Sequence, residues 1–152
     1  MRKLALQIAN SHKWEDTDNL RWEAWATLGV PSKNVAAYQD ALVKAEKANG
    51  WEPNDTAILT TLGAAKYRLG SYEDALNTLT KADKIRTSTD EESDPTNVVF
   101  TAMTLHKLGR VEVAKAALKR LRELCKDEQF TADLEVQGLL AEAEKLIAGE
   151  KR

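Results

Sequence analysis

The sequence predicts an all-α chain, an array of antiparallel helix pairs with about eight helices, the last of them a capping helix at its C-terminal end. Three observations carry that prediction. The composition is helical: Ala, Leu, Lys and Glu dominate the 152 residues, Gly and Pro number only seven and three, and strongly β-favouring runs are absent. The chain also matches itself at a fixed displacement. Shifting it by 34 residues brings Trp25 onto Leu59, Leu28 onto Leu62, Gly29 onto Gly63, Tyr38 onto Tyr72, Ala41 onto Ala75 and Ala48 onto Ala82. A shift of 39 carries Leu69-Gly70 onto Leu108-Gly109, Ala75 onto Ala114, Leu79 onto Leu118 and Ile85 onto Leu124. Finally, the repeated segment alternates helical apolar spacing with glycine turn signals, as a helix–turn–helix unit requires.

Taken in order, residues 1–13 read as the second helix of a preceding half-unit, with Leu4, Ala5 and Ile8 along an edge that lacks a neighbour. "ANSHKWEDTD" lines up with "KANGWEPND", so Trp14 matches Trp51 in equivalent turns. The first full unit spans 17–53; Pro31 stops its leading helix near Leu28, leaving "GVPSKN" as a long turn. The second unit spans 54–87. Ile58, Leu59, Leu62, Ala65 and Leu69 follow helical spacing, as do Tyr72, Ala75, Leu76, Leu79, Ala82 and Ile85. Gly70 ends its first helix in the left-handed conformation, and Ser71 is placed to cap the next. Gly63 costs about 1 kcal/mol relative to Ala in a helix, and its small size, with that of Ala75, is expected to let the two helices approach closely.

"TSTDEESD" supplies the five residues beyond the 34-residue period. Its acidic side chains predict a solvated loop, and Pro95 suits the first turn of the following helix. The third unit, 95–127, is degenerate: it keeps Gly109 at the turn but has Ala102 where a small glycine stood. The final helix is expected over 131–148, with Thr131 as its cap, Val136, Leu139, Leu140, Ala143 and Ile147 as its apolar face, and Gly149 beyond its end. Such a helix covers the exposed side of the last pair, as the ends of repeat arrays require.

"WATLG" with Tyr38, Ala41 and Pro53, then "LTTLG" with Tyr72 and Ala75, resembles the tetratricopeptide repeat (TPR). The resemblance covers roughly 17–126 and implies one domain over 1–152, a right-handed α-solenoid. Its signature residues are structural and bring no chemistry. A looser similarity, in "NLRWEAW", "ALVKAEKA" and "FTAMTLHKLGRVEVAKAAL", is to carboxy-terminal repeat tails of large bacterial proteins that carry kinase or WD40 domains. It implies a segment of a longer bacterial chain, without the kinase motifs.

Composition narrows function. The formal charge of −2 gives no general pull towards nucleic acid or an anionic membrane. A lone Cys125 rules out an internal disulfide and fits a reducing, cytoplasmic compartment. His12 and His106 are the only histidines, and His106 has no Cys, Asp or second His one turn away to complete a metal or acid–base site. Cys125 continues the apolar face of Leu118, Leu121 and Leu124 with no base beside it, so it reads as structural. "DEESD" lacks the spaced carboxylates and central glycine of a calcium loop. The basic face Lys115, Lys119, Arg120, Arg122 and Lys126 lacks interleaved aromatics and is diluted by Glu112 and Glu123. No phosphate-binding loop, catalytic serine motif or metal motif appears. The expectation is therefore a protein with no catalytic, cofactor or metal site.

Stacked helix pairs make a concave surface lined by their leading helices. By repeat geometry its exposed residues are expected to be Thr60, Ala64, Tyr67 and Arg68 from the second unit, and Val99, Met103, His106 and Lys107 from the third. Tyr67 offers rigid contact area; Arg68 and Lys107 offer cations for a carboxylate or a peptide carbonyl. In TPR domains that clamp chaperone carboxy-terminal peptides, lysines and asparagines stand about where this chain has Thr60, Ala64, Thr96 and Phe100. The expected partner is a peptide or protein segment. Self-association through the N-terminal half-unit, as a structural element of a larger protein, is the alternative. Trp22 reads either as core or as an exposed partner contact.

Overall fold

The computed structural model describes residues 16–149. Helix α1 covers 16–28. It is followed by α2 (Val35–Trp51), α3 (Thr56–Arg68), α4 (Tyr72–Thr87), α5 (Pro95–Lys107), α6 (Val111–Leu124), the one-turn α7 (Glu128–Thr131) and α8 (Leu134–Ile147). There is no strand among the described residues. The helix expected over 1–13, and Trp14, lie outside them.

The two short turns are built alike. Gly70 and Gly109 take φ of 83° and 78°, a region where a Cβ is strained. At the first, Gly70 N donates to Tyr67 O (3.0 Å) and Ser71 N to Lys66 O (2.9 Å); at the second, Gly109 N donates to His106 O (3.0 Å) and Arg110 N to Leu105 O (2.9 Å). Each turn thus satisfies carbonyls that the ending helix leaves open. Ser71 holds the N-cap place of α4, but its hydroxyl makes no capping bond. Only its carbonyl contributes, accepting from Ala75 N at 2.9 Å. The longer first turn contains Pro31 and is pinned by Tyr38, whose hydroxyl accepts from Ser32 N (2.5 Å) and donates to Val30 O (3.3 Å).

Gly63 has the packing reason that its cost demands. A Cβ there would lie 2.6 Å from the side chain of Leu79, which is fully buried. Around it, Phe100 meets Trp25 and Tyr67 edge-on, with ring centroids 5.9 and 5.7 Å apart. The polar side chains in this layer are satisfied internally: buried Asn97 donates to Thr60 Oγ1 and to Leu79 O, both at 3.1 Å.

Two sequence expectations need correction. The acidic loop is not solvated throughout. Its C-terminal end is packed, because Ser93 is buried, donates to Asp83 Oδ1 at 2.6 Å and accepts from Arg120 of α6. The last long helix also starts later than expected. Thr131 belongs to α7, where its hydroxyl donates to Glu128 O (3.1 Å). Asp133 caps α8, accepting from Glu135 N (3.0 Å) and Val136 N (3.1 Å). From there Val136, Leu139, Ala143 and Ile147 are buried, and α8 packs on α5 and α6.

Candidate functional site

Helices α1, α3 and α5 share the inner face of the array, and α8 runs across it. Two contacts from α8 fix this arrangement. Glu142 takes a two-pronged bond from Arg68 of α3, with Nη1 donating to Oε2 and Nη2 to Oε1, the latter at 2.9 Å. Glu135, seven residues earlier on α8, accepts from the indole Nε1 of Trp25 on α1 at 2.5 Å. Arg68 Nε also donates to Leu28 O at the end of α1 (3.1 Å), and its guanidinium lies 5.2 Å from the centre of the Phe100 ring. The Arg68 and Glu142 side chains are only 5% and 19% exposed, so this is a desolvated ion pair whose geometry specifies one docking of α8.

The expected set of exposed groove residues is corrected accordingly. Thr60, Ala64, Tyr67, Val99 and Met103 are all buried. Arg68 does hold a carboxylate, but it is the chain's own Glu142. His106 is half-buried and Lys107 exposed, both at the far end of α5. Burial, and secondarily the charge of Glu142, push the Tyr67 phenol up. Cys125 is 5% exposed, and burial, followed by the charge of Glu144, pushes its thiol up. That is the opposite of an activated nucleophile. Of the basic stretch over 115–126, Arg122 pairs with Glu144 of α8 at 3.0 Å and Lys126 with Glu123 at 2.9 Å.

Among the described residues, a cleft of about 220 Å³ opens at the N-terminal ends of α3, α5 and α8. Its aromatic walls are Trp22, Trp25 and Phe130. Trp22 is 59% exposed, and the Arg21 guanidinium lies 4.3 Å from its ring centre. Asp94, Asp133 and Glu135 stand around the same cleft. Of these residues, sequence reasoning singled out only Trp22 as a contact. A Trp set between Arg21 and Glu23 was the available signal; the rest depend on the seating of α7 and α8.

The architecture is that of the TPR fold. The chain is similar to the first TPR domain of the human RPAP3 protein, solved by NMR, with a TM-score of 0.60 and 17% identity over 88% of this chain and 93% of that one. No protein-family model matches the chain, and no curated protein matches it in sequence. No described helix is long and apolar enough to cross a membrane.

Proposed function

We propose that the chain is a non-catalytic interaction module that binds a peptide or protein segment at the open end of its inner face. The observation that carries this reading is Trp22. A large, half-rigid aromatic stands exposed at the mouth of a cleft, while Tyr67, Val99 and Met103 of the leading helices are buried. Tryptophan beside such a cleft is the residue type that most often dominates binding energy. Thr60, from the set expected in the sequence, borders the cleft; Tyr67 and Arg68 do not reach a partner while α8 is seated. The burial of Cys125 favours a structural role for it.

Selection of displayed random peptides against the immobilised protein tests the reading. Enriched peptides are expected to lose about thirtyfold in affinity on Trp22→Ala, the effect of removing a dominant aromatic contact. They are expected to be indifferent to Val43→Ser on the outer face of α2. Failure to enrich any binder, or binders unaffected by Trp22→Ala, overturns it.

A further inference from the structure

The chemistry of the open cleft narrows the partner. This step rests on the interaction reading above and adds the charge of the bound side chain. Among the described residues, three carboxylates, Asp94, Asp133 and Glu135, line the cleft with one cation, Arg21. Asp94 and Asp133 cap their helices through Oδ1, at 3.0 Å from Thr96 N and 3.1 Å from Val136 N. Glu135 takes the Trp25 indole through Oε1. No hydrogen bond from a described residue engages the second oxygen of any of the three. The cleft therefore offers unengaged carboxylate oxygens beside aromatic faces, a combination that holds guanidinium or ammonium groups. Arg21 marks how a guanidinium lies on Trp22. Its ion pair with Asp18 is long, at 3.9 Å, and its own side chain is 19% exposed, so it forms part of the cleft wall over Trp22. Of the two cations expected to hold a carboxylate, Arg68 is already taken by Glu142, and Lys107 is exposed at the far end of α5, outside this cleft.

We propose that the cleft receives an arginine or lysine side chain of the partner segment, its charge facing Asp94, Asp133 and Glu135 and its stem lying against Trp22 and Phe130. An acidic segment meets like charge at the same place and is disfavoured.

The test is an NMR titration of the full chain with N-acetyl-arginine methylamide, using the neutral isostere N-acetyl-citrulline methylamide and N-acetyl-glutamate methylamide as controls. Saturable shifts of the Trp22 and Trp25 indole N–H signals are expected with the arginine probe, with the two controls at least about tenfold weaker. Asp94→Asn with Asp133→Asn removes two charges while keeping good N-cap residues. This variant is expected to retain its helical circular dichroism and to bind the arginine probe about fivefold more weakly. Equal binding of the citrulline probe, unchanged arginine binding by the double variant, or silent indole signals overturns the proposal. If selected peptides depend on Trp22 but are neutral or acidic, the interaction reading stands and this charge assignment falls.

Discussion

Helices α3 and α5 differ from their partners α4 and α6 in how much of their surface is hidden. Each of the leading helices buries nine of its thirteen residues. The following helix α4 buries four of sixteen and α6 three of fourteen. The following helices obey the simple amphipathic rule, one stripe inward and the rest in water. The leading helices are enclosed: α3 packs on α2, α4 and α5, and α5 packs on α3, α4, α6 and α8. In a repeat array, then, a leading helix's burial is decided as much by the helices stacked on either side as by its own pair.

The largest expected contrast comes from truncating one side chain in each region. Phe100→Ala on α5 removes a fully buried ring and is expected to cost about 3–5 kcal/mol. Val113→Ala on α6, at a position 56% exposed, is expected to stay within about 0.5 kcal/mol. Urea denaturation measures both, and similar losses would erase the distinction between the regions.

Glycines sharpen the comparison at smaller scale. Gly63 on α3 faces Leu79, and Gly138 on α8 has open space where a Cβ would go. Gly63→Ala is expected to destabilise by about 1 kcal/mol, the overpacking cost exceeding the gain in helix propensity. Gly138→Ala is expected to stabilise by about 0.5–1 kcal/mol. Opposite signs in thermal or urea melts check the pair.

The smallest effect is in pH dependence. Burial and Glu142 hold the folded Tyr67 phenol above its ordinary 10.0, so the unfolded chain ionises it first. Its contribution to stability is complete below about pH 10 and is lost as pH rises through the higher folded value. Tyr67→Phe is expected to shallow the alkaline fall of the melting temperature; an unaltered slope would place Tyr67 in water.

The helices and their turns were legible because they rest on local chemistry. Periodic apolar residues, Pro31, Pro95 and the left-handed Gly70 and Gly109 act within a few residues of themselves. The start of α8 was misread because Thr131 and Asp133 are both good caps, and the choice between them depends on the extra turn α7. Ser71 was assigned a capping bond that its side chain does not make. The exposure of the inner face was misjudged for a different reason. Repeat geometry describes Tyr67, Val99 and Met103 relative to their own pair and is silent on a helix much further along the chain. The sequence did hold a hint: "TAILTTLGAA" and "PTNVVFTAMTL" contain no charged residue, an odd surface to leave in water. Charges enter only in the last turn of each helix, and there Arg68 meets Glu142.

That ion pair offers the most direct test of α8 lying across the inner face. In a double-mutant cycle, Arg68→Met, Glu142→Leu and their combination are compared by urea denaturation. Each single change strands one partner, at about 3 kcal/mol, and the double change is expected to cost much less than their sum. A coupling energy of about 2 kcal/mol is predicted. Strictly additive losses, with no coupling between Arg68 and Glu142, would contradict the seating of α8 on which the shape of the cleft depends.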